Sequence, residues 1–213
     1  MPRHFALFAL LAAPPLAHAA APADEPPVLV FVLAGQSNME GKAKVSVMDY
    51  QADQPATRGL YAPFRKDGKW AERDDVLVKF LTRRGRLTVG FGSPGCIGPE
   101  FGFGQVAGDR YAQPVLLIKA AWGGRSLYRD FRPPAAGLPP REALDRMLAD
   151  LKKRNPKATE EDVKTPFGAS YRAMLDEYRG TLKDLGTLFP ALAGRRTELA
   201  GFIWFQGWND MIS

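Results

Sequence analysis

The sequence predicts an α/β protein, specifically a three-layer α/β/α sandwich built on a parallel sheet. Three apolar runs without polar alternation, at residues 28–34, 114–120 and 199–205, read as strands covered on both faces, as in parallel sheets. Between the second and third runs, apolar residues recur at three- and four-residue intervals, the spacing of amphipathic helices. The resulting order of strand, helix, strand, helices and strand is that of right-handed parallel crossovers.

In chain order, residues 5–13 form an apolar stretch too short to cross a bilayer, preceded by Arg3 and His4 and followed by Ala17-His18-Ala19. This pattern predicts a secretory signal peptide over residues 1–21, cut after Ala19 or Ala21, and hence a secreted or periplasmic protein. No cysteine lies near the cut to carry a lipoprotein anchor, and no later run is long enough for a transmembrane helix. Residues 22–213 suit one domain with a substantial core. The first strand, 28–34, ends in Gly35-Gln36-Ser37-Asn38-Met39. A long polar insertion over 41–98, with short strands expected near 59–61 and 76–80, is suited to shape a substrate rim.

A helix facing the sheet is expected to begin at 100–107, despite glycines that each cost about 1 kcal/mol in a helix interior. The second buried strand, 114–120, ends in Ala121-Trp122-Gly123-Gly124-Arg125-Ser126-Leu127. Four prolines between Pro133 and Pro140 interrupt regular structure. A helix follows over 141–154, with Leu144, Leu148 and Leu151 on one face. Another is expected over 167–188, where the stripe of Tyr171, Leu175, Tyr178, Leu182 and Leu185 needs a sheet to cover. The third strand, 199–205, ends in Gln206-Gly207-Trp208-Asn209-Asp210, and the sequence stops at Ser213. A parallel sandwich stopping there lacks cover for its third strand, which predicts the N-terminal part of a longer domain.

Composition narrows the partners. The net charge of +6 comes from short mixed runs such as Arg83-Arg84-Gly85-Arg86. No aromatic interleaving marks a stacking platform, so solvated surface is expected and no nucleic-acid partner. The single cysteine, Cys96, excludes an intrachain disulfide and is expected to be a small buried or loop residue. Gly90, Gly92 and Gly95 spell GxGxxG, but Pro94 interrupts it and the preceding strand is short. Gly35 and Gly41-Lys42 are one residue too far apart for a phosphate loop, and Ala43 stands where the metal-binding hydroxyl would be. Without histidine or cysteine clusters, neither a metal nor another cofactor is expected. The sequence specifies no oligomeric state.

Each predicted strand ends in a polar, glycine-containing signature, and in a parallel sheet the three ends meet at one edge, where open α/β sheets bind ligands. Ser37 offers a hydroxyl that attacks an ester carbonyl once a base takes its proton. Stabilising the resulting oxyanion needs preorganised donors. The backbone N–H of Ser37, the backbone N–H of Gly124 and the side-chain amide of Asn209 are the candidates.

The Gly35–Met39 pentapeptide resembles the first sequence block of the SGNH hydrolases, in the branch of sialate O-acetylesterases and acetyl xylan esterases. Gly124 and the block Gly207 to Asp210 are similar to the family's second and third blocks. The resemblance implies a serine esterase that removes O-acetyl groups from carbohydrates, with Ser37, Gly124 and Asn209 as catalytic residues. It also implies substrate contacts at Gln36, Asn38, Glu100 (in Ile97-Gly98-Pro99-Glu100) and Gln206, which could share the third block's donor role. Trp208 departs from the glutamate common in this branch. Asp210 does not correspond to the triad aspartate. The family takes its general base from a C-terminal Asp-x-x-His block that this sequence lacks, and the two histidines, His4 and His18, both fall in the signal segment. Two alternatives remain: a lipid- or aryl-ester hydrolase on the same scaffold, and a carbohydrate-binding protein without turnover.

Overall fold

In the computed structural model, which describes residues 25–212, the first apolar run becomes β1 (Val28–Gly35), buried along its whole length. The expected signal segment, with His4 and His18, lies outside the described residues. After β1 come α1 (Ser37–Glu40), β2 (Ala43–Lys44), α2 (Val45–Asp53), α3 (Arg58–Tyr61), β3 (Arg65–Lys66) and β4 (Lys69–Trp70). Next are β5 (Arg73–Phe80), β6 (Arg83–Leu87), β7 (Cys96–Ile97), α4 (Pro99–Arg110) and β8 (Val115–Ala121). The chain continues through α5 (Arg141–Arg154), α6 (Glu160–Lys164), α7 (Ala169–Lys183), α8 (Leu185–Leu188), β9 (Thr197–Phe205) and α9 (Trp208–Ile212).

The main sheet has the order β6-β5-β8-β1-β9. β1 lies parallel to both β8 and β9, and β5 lies parallel to β8. The sheet is mixed rather than wholly parallel, because β6 returns antiparallel along β5 through a tight turn at Leu81, whose φ is +52°. Alternation along β1 feeds two cores. Leu29, Phe31 and Leu33 face one side with Val78, Leu117 and Ala107 of α4. Val30 packs on the other side with Ile118, Leu185 and Phe189, and Val32 and Ala34 pack there with Ala120 and Met174 of α7. Helices on both faces of a mostly parallel sheet make the expected three-layer α/β sandwich.

The apolar stripe of α7 covers the sheet as its spacing predicts, through Tyr171, Leu175, Tyr178 and Leu182. The helix expected over 167–188 is nevertheless divided. Asp184 leaves helical geometry (φ −101°, ψ 19°), which turns Leu185 onto the sheet. The apolar stripe of α5 packs instead on Val163 and Phe167, away from the sheet. The strand expected near 59–61 is a helical turn, α3, and Cys96 is buried on β7.

β9 is the least covered strand. It pairs with β1 on one side only, and Leu199 (55 % exposed), Phe202 (53 %) and Phe205 (48 %) remain open to solvent. Its register against β1 slips between Val30 and Phe31, which pair with Leu199 and Gly201. A side chain at Gly201 would stand 2.9 Å from the Phe31 ring. The bulge thus lets Phe31 keep its place in the core. Among the described residues no helix is long and apolar enough to cross a membrane.

Candidate active site

Because β8, β1 and β9 are adjacent and parallel, the three polar signatures do emerge at one sheet edge. The turn after β1 is compressed. A Cβ on Gly35 (φ +152°) would lie 2.1 Å from the Phe205 carbonyl oxygen, so only glycine permits the approach. The Gln36 N–H donates to that carbonyl (3.3 Å), and the Gly35 carbonyl accepts from Trp122 N–H (3.2 Å). These bonds tie all three signatures together and put Ser37 at the first position of α1. The Ser37 hydroxyl has no hydrogen-bond partner among the described residues.

Gln36 is 1 % exposed, and its side-chain oxygen accepts the Asn209 N–H (3.3 Å) at the start of α9. It therefore positions the third signature. Gly124 takes a left-handed conformation (φ +72°), with open space where a side chain would be. The preceding Gly123 brings this loop against the nucleophile, since a Cβ there would lie 4.0 Å from the Ser37 Cβ. Gly124 and Asn209 line one cleft of about 620 Å³, together with Ser126, Tyr128 and Asp210. Exposed Asn38 borders a second hollow on the other side of the turn, beside Gly41 and Phe205.

The loop between these donors is held by two carboxylates. Asp210 accepts the N–H groups of Leu127 (2.8 Å) and Tyr128 (2.7 Å). Gln206 donates to the Arg125 carbonyl (2.7 Å) and to Asp210 (3.3 Å), which commits its amide to the loop. Asp130, 2 % exposed, accepts from the backbone N–H of Ser126 (2.9 Å), and its carbonyl accepts from Ser170 and Tyr171 at the start of α7. Partial burial pushes the Asp210 carboxyl up, but the hydrogen bonds from Leu127, Tyr128 and Gln206 prevail and hold it below the usual carboxylate value.

A depressed folded-state value means that this stabilisation is present above the unfolded value of about 3.9 and fades as pH falls through the folded one. Asp210→Asn is therefore expected to cost about 1–2 kcal/mol at neutral pH. The deficit should shrink as denaturant titrations move from pH 6 toward pH 2.5. A deficit that is constant across that range would show that the charge on Asp210 does not hold the loop.

Beneath the nucleophile turn lies an ion pair that sequence reasoning missed. Lys119, in mid β8, and Glu100, in the first turn of α4, are both fully buried and 2.5 Å apart. Lys119 Nζ also donates to the carbonyls of Glu40 and Phe91, each at 2.8 Å, and faces the Phe80 ring at 4.6 Å. The second Glu100 oxygen accepts the Gly98 N–H (2.9 Å). Burial pulls the Lys119 ammonium below its ordinary range, while Glu100 works to restore it. With no exposed surface, Glu100 does not reach a sugar hydroxyl as the resemblance implied. The signal was present in the sequence, since a lysine inside an apolar strand demands a buried partner.

Compared with known proteins, residues 27–213 match the model of a family described as carbohydrate esterase, sialic acid-specific acetylesterase. No curated protein matches the chain. Among solved structures, the chain is similar to the crystal structure of a protein from Arabidopsis thaliana, with 16 % identity and a TM-score of 0.43. The match covers 87 % of this chain and 59 % of that one, so this chain spans about three-fifths of that protein's length.

Proposed function

We propose, from the premise that this chain belongs to the sialic acid-specific acetylesterase family of carbohydrate esterases, that it removes O-acetyl groups from sugars through a Ser37 acyl-enzyme. One observation carries the reading above others: a serine at the first helical position after β1, at the same sheet edge as the Gly123–Gly124 loop that approaches it and as Asn209, which shares one cleft with Gly124. In this mechanism Ser37 Oγ attacks the acetyl carbon as a base takes its proton. The backbone N–H groups of Ser37 and Gly124 and the Asn209 amide hold the oxyanion. The carbon–oxygen bond to the sugar breaks as the base returns the proton to the departing hydroxyl. Water, deprotonated by the same base, then releases acetate and frees the serine.

The base is a group that residues 19–213 do not contain as histidine. We propose that this base is not supplied by residues 22–213, and expect those residues alone to be inactive. Acetate release should be measured on acetylated sialic acid, xylan and pectin, with the natural full-length protein and with residues 22–213. Release by the former alone supports the assignment. Release by both places the base within this chain. Glycan binding without release by either leaves the non-catalytic alternative, and release only from lipid or aryl esters favours the other esterase class. A signal peptide cut after Ala19 or Ala21 would take this chemistry outside the cytoplasm.

A further inference from the structure

Glu40 closes the short helix that Ser37 opens. Its carboxylate accepts from Ser93 Oγ (2.6 Å) and Lys42 Nζ (2.8 Å), and the Gly123 backbone N–H, from a third segment, helps to hold it ionised. The contact with Gly123 is close, since a Cβ there would stand 3.0 Å from Oε2 of Glu40. At its other end, the Glu40 carbonyl accepts from buried Lys119. Glu40 is thus fixed from below by the buried ion pair, and its carboxylate fixes the loop above.

We infer that Glu40 is a positioning residue, which locks the Gly123–Gly124 peptide against the nucleophile turn and so sets where the Gly124 N–H points. Two observations lead there. The Glu40 carboxylate bears on the Gly123 peptide, where a Cβ would stand 3.0 Å from Oε2 and whose N–H helps to hold the carboxyl ionised, which leaves the next N–H, that of Gly124, as the loop's donor to the oxyanion. The loop also turns at Gly124 through a left-handed conformation with open space where a side chain would be, so no side chain of its own fixes that peptide. Beyond the Trp122 N–H bond to the Gly35 carbonyl at the loop's base, the Glu40 contact ties this loop to the element bearing Ser37. A donor must lie within about 3 Å of the developing oxyanion to contribute. Errors of about 1 Å in such placement cost on the order of 100-fold in rate.

The inference rests on the esterase reading for its kinetic part, and the two are tested separately. In the natural full-length protein, Glu40→Gln is expected to lower kcat for an acetylated sugar by about 10- to 100-fold. KM should stay within about threefold, because the lost interaction belongs to the transition state. Amide hydrogen exchange at Gly123 should quicken by about tenfold or more as its acceptor weakens. Glu40→Asp, which keeps the charge, should recover part of both effects. If Glu40→Gln loses the native circular dichroism spectrum, Gly123→Ala tests the contact from the other side and should lower kcat similarly.

Unchanged exchange at Gly123 overturns the inference, whatever happens to activity. Faster exchange with unchanged kcat overturns it as well, because the loop would then be tied by Glu40 without consequence for the reaction. If the wild-type protein releases no acetate while Ser37 stays intact, the esterase reading fails, and the exchange measurement alone decides whether Glu40 holds the loop.

Discussion

Ser37→Ala is expected to lower acetate release by the natural full-length protein at least about 10⁴-fold, with KM for the sugar nearly unchanged. The asymmetry follows from geometry. The serine hydroxyl has no bond to the described residues in the resting structure, so its removal disturbs no packing. The donors around it are set by other atoms: the Phe205 carbonyl holds the Gln36 N–H, and Gln36 in turn holds the start of α9. The variant should therefore keep the wild-type melting temperature and still bind substrate. Its residual rate should reflect the oxyanion donors alone. A phosphonate ester that labels serine nucleophiles should modify the wild type once and the variant not at all. Retention of even a tenth of the wild-type rate would move the nucleophile elsewhere and remove the basis for the proposed mechanism.

The parts of this architecture that the sequence made legible are those in which burial is uniform. β1 and β8 have apolar residues at nearly every position because both faces are covered, and the stripe of α7 matches the face it presents. The insertion after Gly41 was hard to read for the opposite reason. β6 is an edge strand, and its run Arg83-Arg84-Gly85-Arg86 is largely exposed, so it looks like solvated surface although it pairs along β5. Its turn uses Leu81 at positive φ, with no glycine or asparagine to announce a hairpin. Residues 59–61 carry no periodicity that would separate a helical turn from a strand.

The placement of Ser37, Gly124 and Asn209 at one sheet edge was legible because each follows a strand that ends there. The polar residues between them were harder, because sequence shows polarity but not burial. Glu100 looks like a substrate contact and turns out to be an internal strut, while Gln36 spends its side-chain oxygen on the Asn209 N–H. Glu40 and Asp210 lie in or beside recognised blocks, yet their roles depend on backbone N–H groups from distant segments, Gly123 for the first and Leu127 and Tyr128 for the second. No residue code marks such partners in advance.

Glu100→Ala is expected to be among the most destabilising substitutions in the chain, by about 3–5 kcal/mol, because it leaves the Lys119 ammonium buried without its counter-charge. The remaining acceptors, the carbonyls of Glu40 and Phe91, are dipoles and do not replace a full charge. In the variant, burial and the Arg83 charge act on Lys119 with only the more distant Glu40 carboxylate opposing them, which deepens a depression already present in the wild type. A lysine whose folded pKa lies below its unfolded one binds fewer protons folded than unfolded, so stability rises with pH across that interval. The deficit of Glu100→Ala should therefore narrow as urea titrations move from pH 7 toward pH 10. Replacing the pair by Lys119→Met with Glu100→Leu removes the charge penalty but strands the two carbonyls and the Gly98 N–H, at about 1–3 kcal/mol each, so this variant should also fall short of the wild type. One of those carbonyls belongs to Glu40, so the double variant should also loosen Gly123 exchange while Ser37 stays intact. A loss below about 1 kcal/mol for Glu100→Ala at pH 7, or a deficit that widens with pH, would mean that Lys119 finds water or another anion, and that the nucleophile turn does not rest on this pair.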